Sequence, residues 1–286
     1  MSDISLLTIV RGRRDHLHNL LRGVAQQTAP PREMIIVFMN EAIPRDLPDP
    51  GCKLYLHRLN DEDHPLPLAA ARNRAASEAG GTMLAFLDVD CIPHPDYLRQ
   101  LGSAVELTRS LVMGDVRYLP AGSTAGDWNF ATLDRVAQQH PRRPALPEEP
   151  DSLIPLPYHL FWSLSFGLRA TDFARLGGFD EAYSGYGGED TDFAFTARHG
   201  RLPLYACGAR VYHQHHDTYS PPYNHLREIV TNAVRFHQKW QIWPMDGWLK
   251  QFERAGYIHW NADGIEIIRD VEPQIVEEAR SESPFA

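Results

Sequence analysis

Cysteine is scarce in this chain: Cys52, Cys91 and Cys207 are the three among 286 residues, and none forms a CxxC pair. An odd, scattered set of thiols excludes a disulfide framework and reads as reduced cysteines in a cytoplasmic protein. No run of eighteen apolar residues occurs, so no transmembrane helix is expected. The segment from Met1 to Val10 has no basic stretch ahead of a long apolar one, so no secretory leader is expected. Positive charge is also short, 28 Lys and Arg against 37 Asp and Glu for a net charge of -9. That balance excludes an extended nucleic-acid face, which needs many cations to neutralise phosphates. A diphosphate needs only two or three, so a nucleotide-sized ligand remains compatible. Contact with a lipid-linked acceptor stays open, although no basic amphipathic helix points to a membrane surface. His-Glu-x-x-His is missing, which weakens a zinc-hydrolase reading. A Gly-rich phosphate loop near the N-terminus is missing too, which weakens a nucleotidyltransferase reading. No internal repeat is visible.

What the chain does have is globular proportion, 43% hydrophobic and 23% charged, with length enough for a large core. Apolar runs of β-branched character predict strands over 4–10, 34–39, 53–59 and 83–87. Between them, spacing predicts an amphipathic helix over 16–27 and an Ala-rich helix over 68–79, closed by Gly80-Gly81. Strands alternating with helices imply an α/β fold with a mostly parallel sheet covered on both faces. In such sheets, ligands bind beyond the carboxyl ends of the strands. The proline-rich stretch 141–157 reads as an irregular, mobile loop, and 221–240 as a helix that begins at prolines.

Three segments carry chemistry. Asp88-Val89-Asp90 directly follows an apolar strand, and two carboxylates one residue apart suit a hard divalent cation that also binds phosphate oxygens. The same three residues also describe an ordinary acidic turn. Gly185-Tyr186-Gly187-Gly188-Glu189-Asp190 sets glycines, an aromatic ring and two acids where a helix should begin, a place where the macrodipole favours negative charge. Helix capping alone accounts for the acids but not for the ring and glycines ahead of them. His213, His215 and His216 fall within four positions at the end of an apolar segment, and neutral imidazole is a good ligand for Mn²⁺ or Zn²⁺. A surface histidine cluster would look alike.

Taken in order, these segments resemble the GT-A glycosyltransferases of family 2. The likeness covers about residues 4–216, and its C-terminal half resembles the β-1,4-galactosyltransferases and polypeptide N-acetylgalactosaminyltransferases. Val10-Arg11-Gly12-Arg13-Arg14-Asp15 is similar to a galactosyltransferase segment that meets the uridine diphosphate, which makes Arg11 and Arg13 donor-binding candidates. Ala71-Arg72-Asn73-Arg74 is similar to a segment lining the nucleotide pocket, adding Arg72 and Asn73. Phe86-Leu87-Asp88-Val89-Asp90-Cys91-Ile92-Pro93 resembles Phe-Ser-Asp-Val-Asp-Leu-Ile-Pro. By that likeness Asp90 binds the metal, while Asp88 and Val89 meet the nucleotide. Gly185 to Asp190 resembles Gly-Trp-Gly-Gly-Glu-Asp, with Tyr186 in place of tryptophan. The resemblance implies that Tyr186, Gly187, Gly188 and Glu189 face the acceptor, with Tyr186 also near the donor. Arg210-Val211-Tyr212-His213 resembles a segment supplying a metal-binding histidine, which points to His213, with His215 the alternative.

The resemblance implies an inverting transfer of a hexose or N-acetylhexosamine from a UDP-sugar, with Mn²⁺ or Mg²⁺ as cofactor. The acceptor would be a glycan, a lipid-linked saccharide or a small molecule. Asp190 would be the general base and Glu189 would hold an acceptor hydroxyl. A catalytic domain over 1–218 is expected, its nucleotide half about 1–115 and its acceptor half about 116–218. A helical extension over 219–286 would pack on it. Four tryptophans there either seal this extension or stack on sugar. The rival readings are a non-catalytic nucleotide-sugar-binding protein of the same fold and a retaining N-acetylgalactosaminyltransferase-like enzyme.

Overall fold

The computed structural model describes residues 3–64, 66–144, 146, 152–262, 264–283 and 285. In chain order they begin with β1 (Ile4–Val10), α1 (Arg14–Val24), β2 (Glu33–Met39), β3 (Lys53–Leu59), α2 (Leu68–Ser77), β4 (Met83–Leu87), β5 (Cys91–Pro93), α3 (Tyr97–Thr108) and β6 (Leu111–Tyr118). Next come α4 (Phe130–Val136), β7 (Gln138–Gln139), β8 (Leu153–Pro155), β9 (Ser165–Arg169), α5 (Ala170–Leu176), α6 (Glu189–His199) and β10 (Leu204–His213). The chain continues with β11 (Thr218–Tyr219), α7 (Leu226–Trp240), α8 (Asp246–Arg254), β12 (Ile258–Trp260), β13 (Ile265–Ile267), α9 (Pro273–Glu278) and β14 (Arg280–Ser281).

The large sheet runs β3-β2-β1-β4-β9-β6-β10-β5. The β3, β2, β1 and β4 strands are mutually parallel, β9 is antiparallel to both β4 and β6, and β10 is parallel to β6. The long strands β1, β2, β3, β4, β6 and β10 therefore point one way and deliver their carboxyl ends to one edge. Alternation along β1 shows why the sheet is covered twice. Leu6 and Val10 join Leu17, Leu20, Leu101 and Val105 on one face, whereas Leu7 and Ile9 join Ala71, Ala75 and Phe193 on the other. Helix α1 buries Leu17, Leu20, Leu21 and Val24, the spacing of a single apolar stripe.

Helix α7 begins at Leu226 rather than at the prolines, because the chain first makes a 3₁₀ turn at Tyr223–His225, where His225 N–H donates to the Pro222 carbonyl (3.0 Å). The segment expected as helical carries α7, α8 and α9, but also the antiparallel pair β12–β13 and the pairing of β14 with β11. Its own core gathers Leu226, Ile229, Val230, Leu249 and Phe252. It is tied to α6 through Asp192, a buried carboxylate that accepts hydrogen bonds from Lys239 Nζ (2.8 Å), Trp240 Nε1 (2.7 Å) and Tyr183 Oη (3.1 Å). Within 141–157, where a mobile loop was expected, residues 145 and 147–151 lie outside the described residues; the described part rejoins the sheet at β8. Among the described residues, no helix is long and apolar enough to cross a membrane.

Candidate active site

Strand β4 ends in a tight turn, where Asp88 N–H donates to the Leu164 carbonyl (2.9 Å) and Cys91 N–H to the Asp88 carbonyl (3.0 Å). That turn reverses the chain into β5, which pairs antiparallel with β10 in a register that sets Cys91 opposite His213. Gln214 N–H then donates to the Asp90 carbonyl (2.7 Å). Two segments more than a hundred residues apart are thus locked together, and His213 Nε2 lies 3.6 Å from one Asp90 carboxylate oxygen. His216 Nε2 lies 3.5 Å from the other, and one ligand atom from each of Asp90, His213 and His216 falls within 4.8 Å of the rest.

His215 is the correction. Its Nε2 meets the Glu282 carbonyl (2.8 Å), and His216 takes the third position. Alternation would return His215 to the side of His213 only if β10 continued, and it stops at His213.

The electrostatics suit a cation. Burial pushes the Asp90 carboxyl up, but His213, Arg13 and His216 outweigh it and hold Asp90 below the usual carboxylate range. Burial drives His213 down to about 4 and lowers His216 as well, so the two rings hold Asp90 down by charge only in acid, and near neutral pH they are neutral imidazoles with Arg13 the standing cation. Arg13 Nη1 lies 3.1 Å from Asp90. Arg11 is exposed on the same loop and makes no ion pair among the described residues. The Val89 side chain packs into the core, which leaves only its backbone for a ligand.

Arg72 and Asn73, the donor-binding candidates on α2, are both engaged within the chain. The buried Arg72 guanidinium binds Glu189 (2.9 Å) and Asp88 (3.4 Å) and lies over the Phe179 ring, so it bridges two acidic loops. Asn73, one residue on, points elsewhere because successive helical residues do not share a face. Its amide accepts from Phe179 N–H and donates to the Phe179 carbonyl and to Glu181, which fixes the Gly177-Gly178 turn.

Across the Arg72 bridge, Gly185, Gly187 and Gly188 adopt φ of +70°, +91° and +94°, and a Cβ on Gly185 would lie 2.4 Å from Glu228. The loop's carbonyls are held from α7. The buried Asn232 amide donates to those of Ser184 (2.9 Å), Gly187 (2.8 Å) and Tyr186 (3.4 Å), and Glu228 accepts the Tyr186 N–H (2.9 Å). Gly187 and Gly188 shape the loop, and their carbonyls are already engaged by Asn232 and by Asp192 N–H. Glu189 is buried, with one carboxylate oxygen 2.9 Å from Arg72. Asp190 accepts from Thr191 N–H (2.6 Å) and Thr191 Oγ1 (3.2 Å). Burial and the Glu189 charge push its carboxyl up to about 7. Burial, then the charges of Asp190 and Glu189, push the Tyr186 phenol up to about 12, so it stays protonated. Asp88 is raised to about 6, chiefly by burial. Asn232 and Glu228 carry no local sequence signature, since their roles appear only when α7 folds against the glycine loop.

A mostly parallel sheet covered on both faces, with two acidic turns and paired imidazoles at its carboxyl edge, defines the GT-A nucleotide-diphospho-sugar transferase fold. Residues 5–155, more than half the chain, match the model of glycosyl transferase family 2, and residues 148–217 match that of the N-terminal domain of galactosyltransferase. The chain belongs to glycosyl transferase family 2. It is 27% identical over 233 residues to validoxylamine A glucosyltransferase of Streptomyces hygroscopicus subsp. limoneus, a match covering 71% of this chain and 50% of that one. The chain spans about half the length of the curated relatives it matches. Among solved structures, S. aureus TarS 1–349 superposes with a TM-score of 0.53 at 14% identity, covering 83% of this chain and 66% of that one. GalNAc-T7 with UDP, GalNAc and Mn²⁺ gives 0.55 at 14%, covering 88% and 56%. At such identities the shared property is the fold.

Proposed function

We propose that this chain is a metal-dependent, inverting glycosyltransferase that moves a hexose or N-acetylhexosamine from a UDP-sugar to an acceptor hydroxyl. One observation carries the reading: Asp90, His213 and His216 converge beside a second acidic loop whose Asp190 carboxyl is raised to about 7. One carboxylate and two neutral imidazoles make a donor set that suits Mn²⁺ better than Mg²⁺, which prefers oxygen throughout. The solved GalNAc-T7 structure that holds UDP and Mn²⁺ supports the same choice. When bound there, the ion would neutralise charge on the departing diphosphate. The activity of the validoxylamine A relative supports glucose as the sugar.

This chain's residues would divide the remaining work. Arg13, 3.1 Å from Asp90, is placed to exchange that carboxylate for a phosphate oxygen. Asp88, at the end of β4, would meet the nucleotide. Asp190 would take the proton from the acceptor hydroxyl as the new bond forms, and a carboxyl poised near neutrality is well matched to that transfer. Glu189 would act on Asp190 through its charge, and Arg72 would keep the two acidic loops in register. On this reading, residues 1–115 bind the nucleotide, 116–218 the acceptor, and 219–286 support the acceptor side.

The test is a thermal-shift panel of UDP-glucose, UDP-galactose, UDP-N-acetylglucosamine and UDP-N-acetylgalactosamine, with and without Mn²⁺. A ligand that binds only the folded state raises the melting temperature. The reading expects a rise with at least one UDP-sugar that needs Mn²⁺; no rise with any of them contradicts it.

A further inference from the structure

The glycine loop is backed by aromatic residues that come from beyond the strand bearing the histidines. The Tyr186 ring stacks on His225 with centroids 4.7 Å apart and planes 20° apart, and the Trp248 ring lies 5.9 Å away, tilted by 35°. Tyr186 is 38% exposed, which is unusual for a large ring so firmly held. All four tryptophans of this region pack on its core, Trp243, Trp248 and Trp260 against the Leu226–Phe252 cluster and Trp240 against Phe195 and Phe236. Trp240 donates to Asp192 and meets Phe195, while Trp243 stacks on His237 and meets Trp260 edge-on. Trp248 alone of the four meets the ring beside Asp190, and it is half-buried.

The His225 ring is fixed by Glu228 (2.7 Å), and the same carboxylate holds the Tyr186 N–H. Glu228 therefore ties the loop bearing the base to the His225 ring beside it. A polyhydroxylated six-membered ring has an apolar C–H face and a polar rim. An indole flank next to a protonated phenol and a carboxylate complements both.

We propose that Trp248 and His225 form, with Tyr186, an acceptor subsite for a sugar or cyclitol ring, so that residues beyond the catalytic sheet choose the acceptor. This rests on Asp190 being the base. The ring's C–H face lies against Trp248, and one hydroxyl is directed between the Tyr186 phenol and Asp190.

Ligand-observed NMR titration of the full chain in Mn²⁺ and UDP, with myo-inositol, methyl β-D-glucoside and N-acetylglucosamine as probes, tests it. At least one probe binds the wild type saturably. Trp248→Leu, which keeps apolar volume, weakens that binding about tenfold or more, and Trp248→Phe restores most of it. The Mn²⁺-dependent UDP affinity, measured by calorimetry, stays at the wild-type value in both variants. Three silent probes on a wild type that binds UDP overturn the subsite and leave the proposed function standing, as does Trp248→Leu with unchanged probe affinity. Loss of UDP affinity in Trp248→Leu, with melting temperature unchanged, overturns the acceptor assignment. A wild type that binds no UDP with Mn²⁺ overturns the proposed function and the subsite together.

Discussion

Replacing Asp190 with Asn separates catalysis from stability in a way few other roles would mimic. Its carboxyl is raised from 3.8 to about 7, first by burial and then by Glu189. A raised acid binds its proton more tightly in the folded chain than in the unfolded one. Stability is therefore full below about pH 4 and declines as pH climbs toward 7, then levels off once both states are ionised. A rise of that size corresponds to an upper bound of about 4 kcal/mol. At roughly 2 °C per kcal/mol for a chain of this size, that is up to about 8 °C in melting temperature. Asn carries no such penalty. Scanning calorimetry in chelator should show the variant and wild type melting together near pH 4, with the variant increasingly the more stable up to pH 7. Transfer by the variant should fall by about 10² to 10⁴ while UDP affinity is kept, and the wild-type rate should rise with pH up to about 7. A melting difference that ignores pH, or a variant that loses UDP binding and keeps turnover, refutes the reasoning.

Two other substitutions probe the surroundings. His216→Ala should weaken Mn²⁺ binding at least about tenfold by calorimetry, whereas His215→Ala should leave it near wild type, because of these two residues His216 faces Asp90 and His215 turns to the Glu282 carbonyl. Asn232→Ala strips the partner from the Ser184 and Gly187 carbonyls and should cost about 1–3 kcal/mol in urea unfolding. The same variant should also raise the acceptor KM through the loosened glycine loop; a denaturation midpoint equal to wild type would show that the loop does not need it.

Four strands of the sheet, β1 to β4, were legible, and the continuous burial of β1, β2 and β4 on both faces is what a parallel sheet requires; β6, β9 and β10 were not read as strands. Asp90 and His213 were singled out by the family resemblance of their segments, and the fold brings the two side chains within 3.6 Å. That His216 and not His215 lies beside Asp90 was not legible, since it depends on where β10 stops, and no residue at 214–217 announces that. Arg72 and Asn73 could be located on a helix near the site, but their partners come from residues 179–189. A contact across more than a hundred residues leaves no mark on local spacing. The hold of Asn232 and Glu228 on the glycine loop belongs to the same class.

The central claim is that Asp90, His213 and His216 together hold a divalent ion that binds the donor's diphosphate. Calorimetric titration of UDP into the wild type with Mn²⁺, and again in excess EDTA, tests it most directly when repeated with His213→Ala. The account predicts saturable binding with Mn²⁺ that weakens at least about tenfold both in EDTA and in the variant. Equal UDP affinity in all three measurements would contradict it.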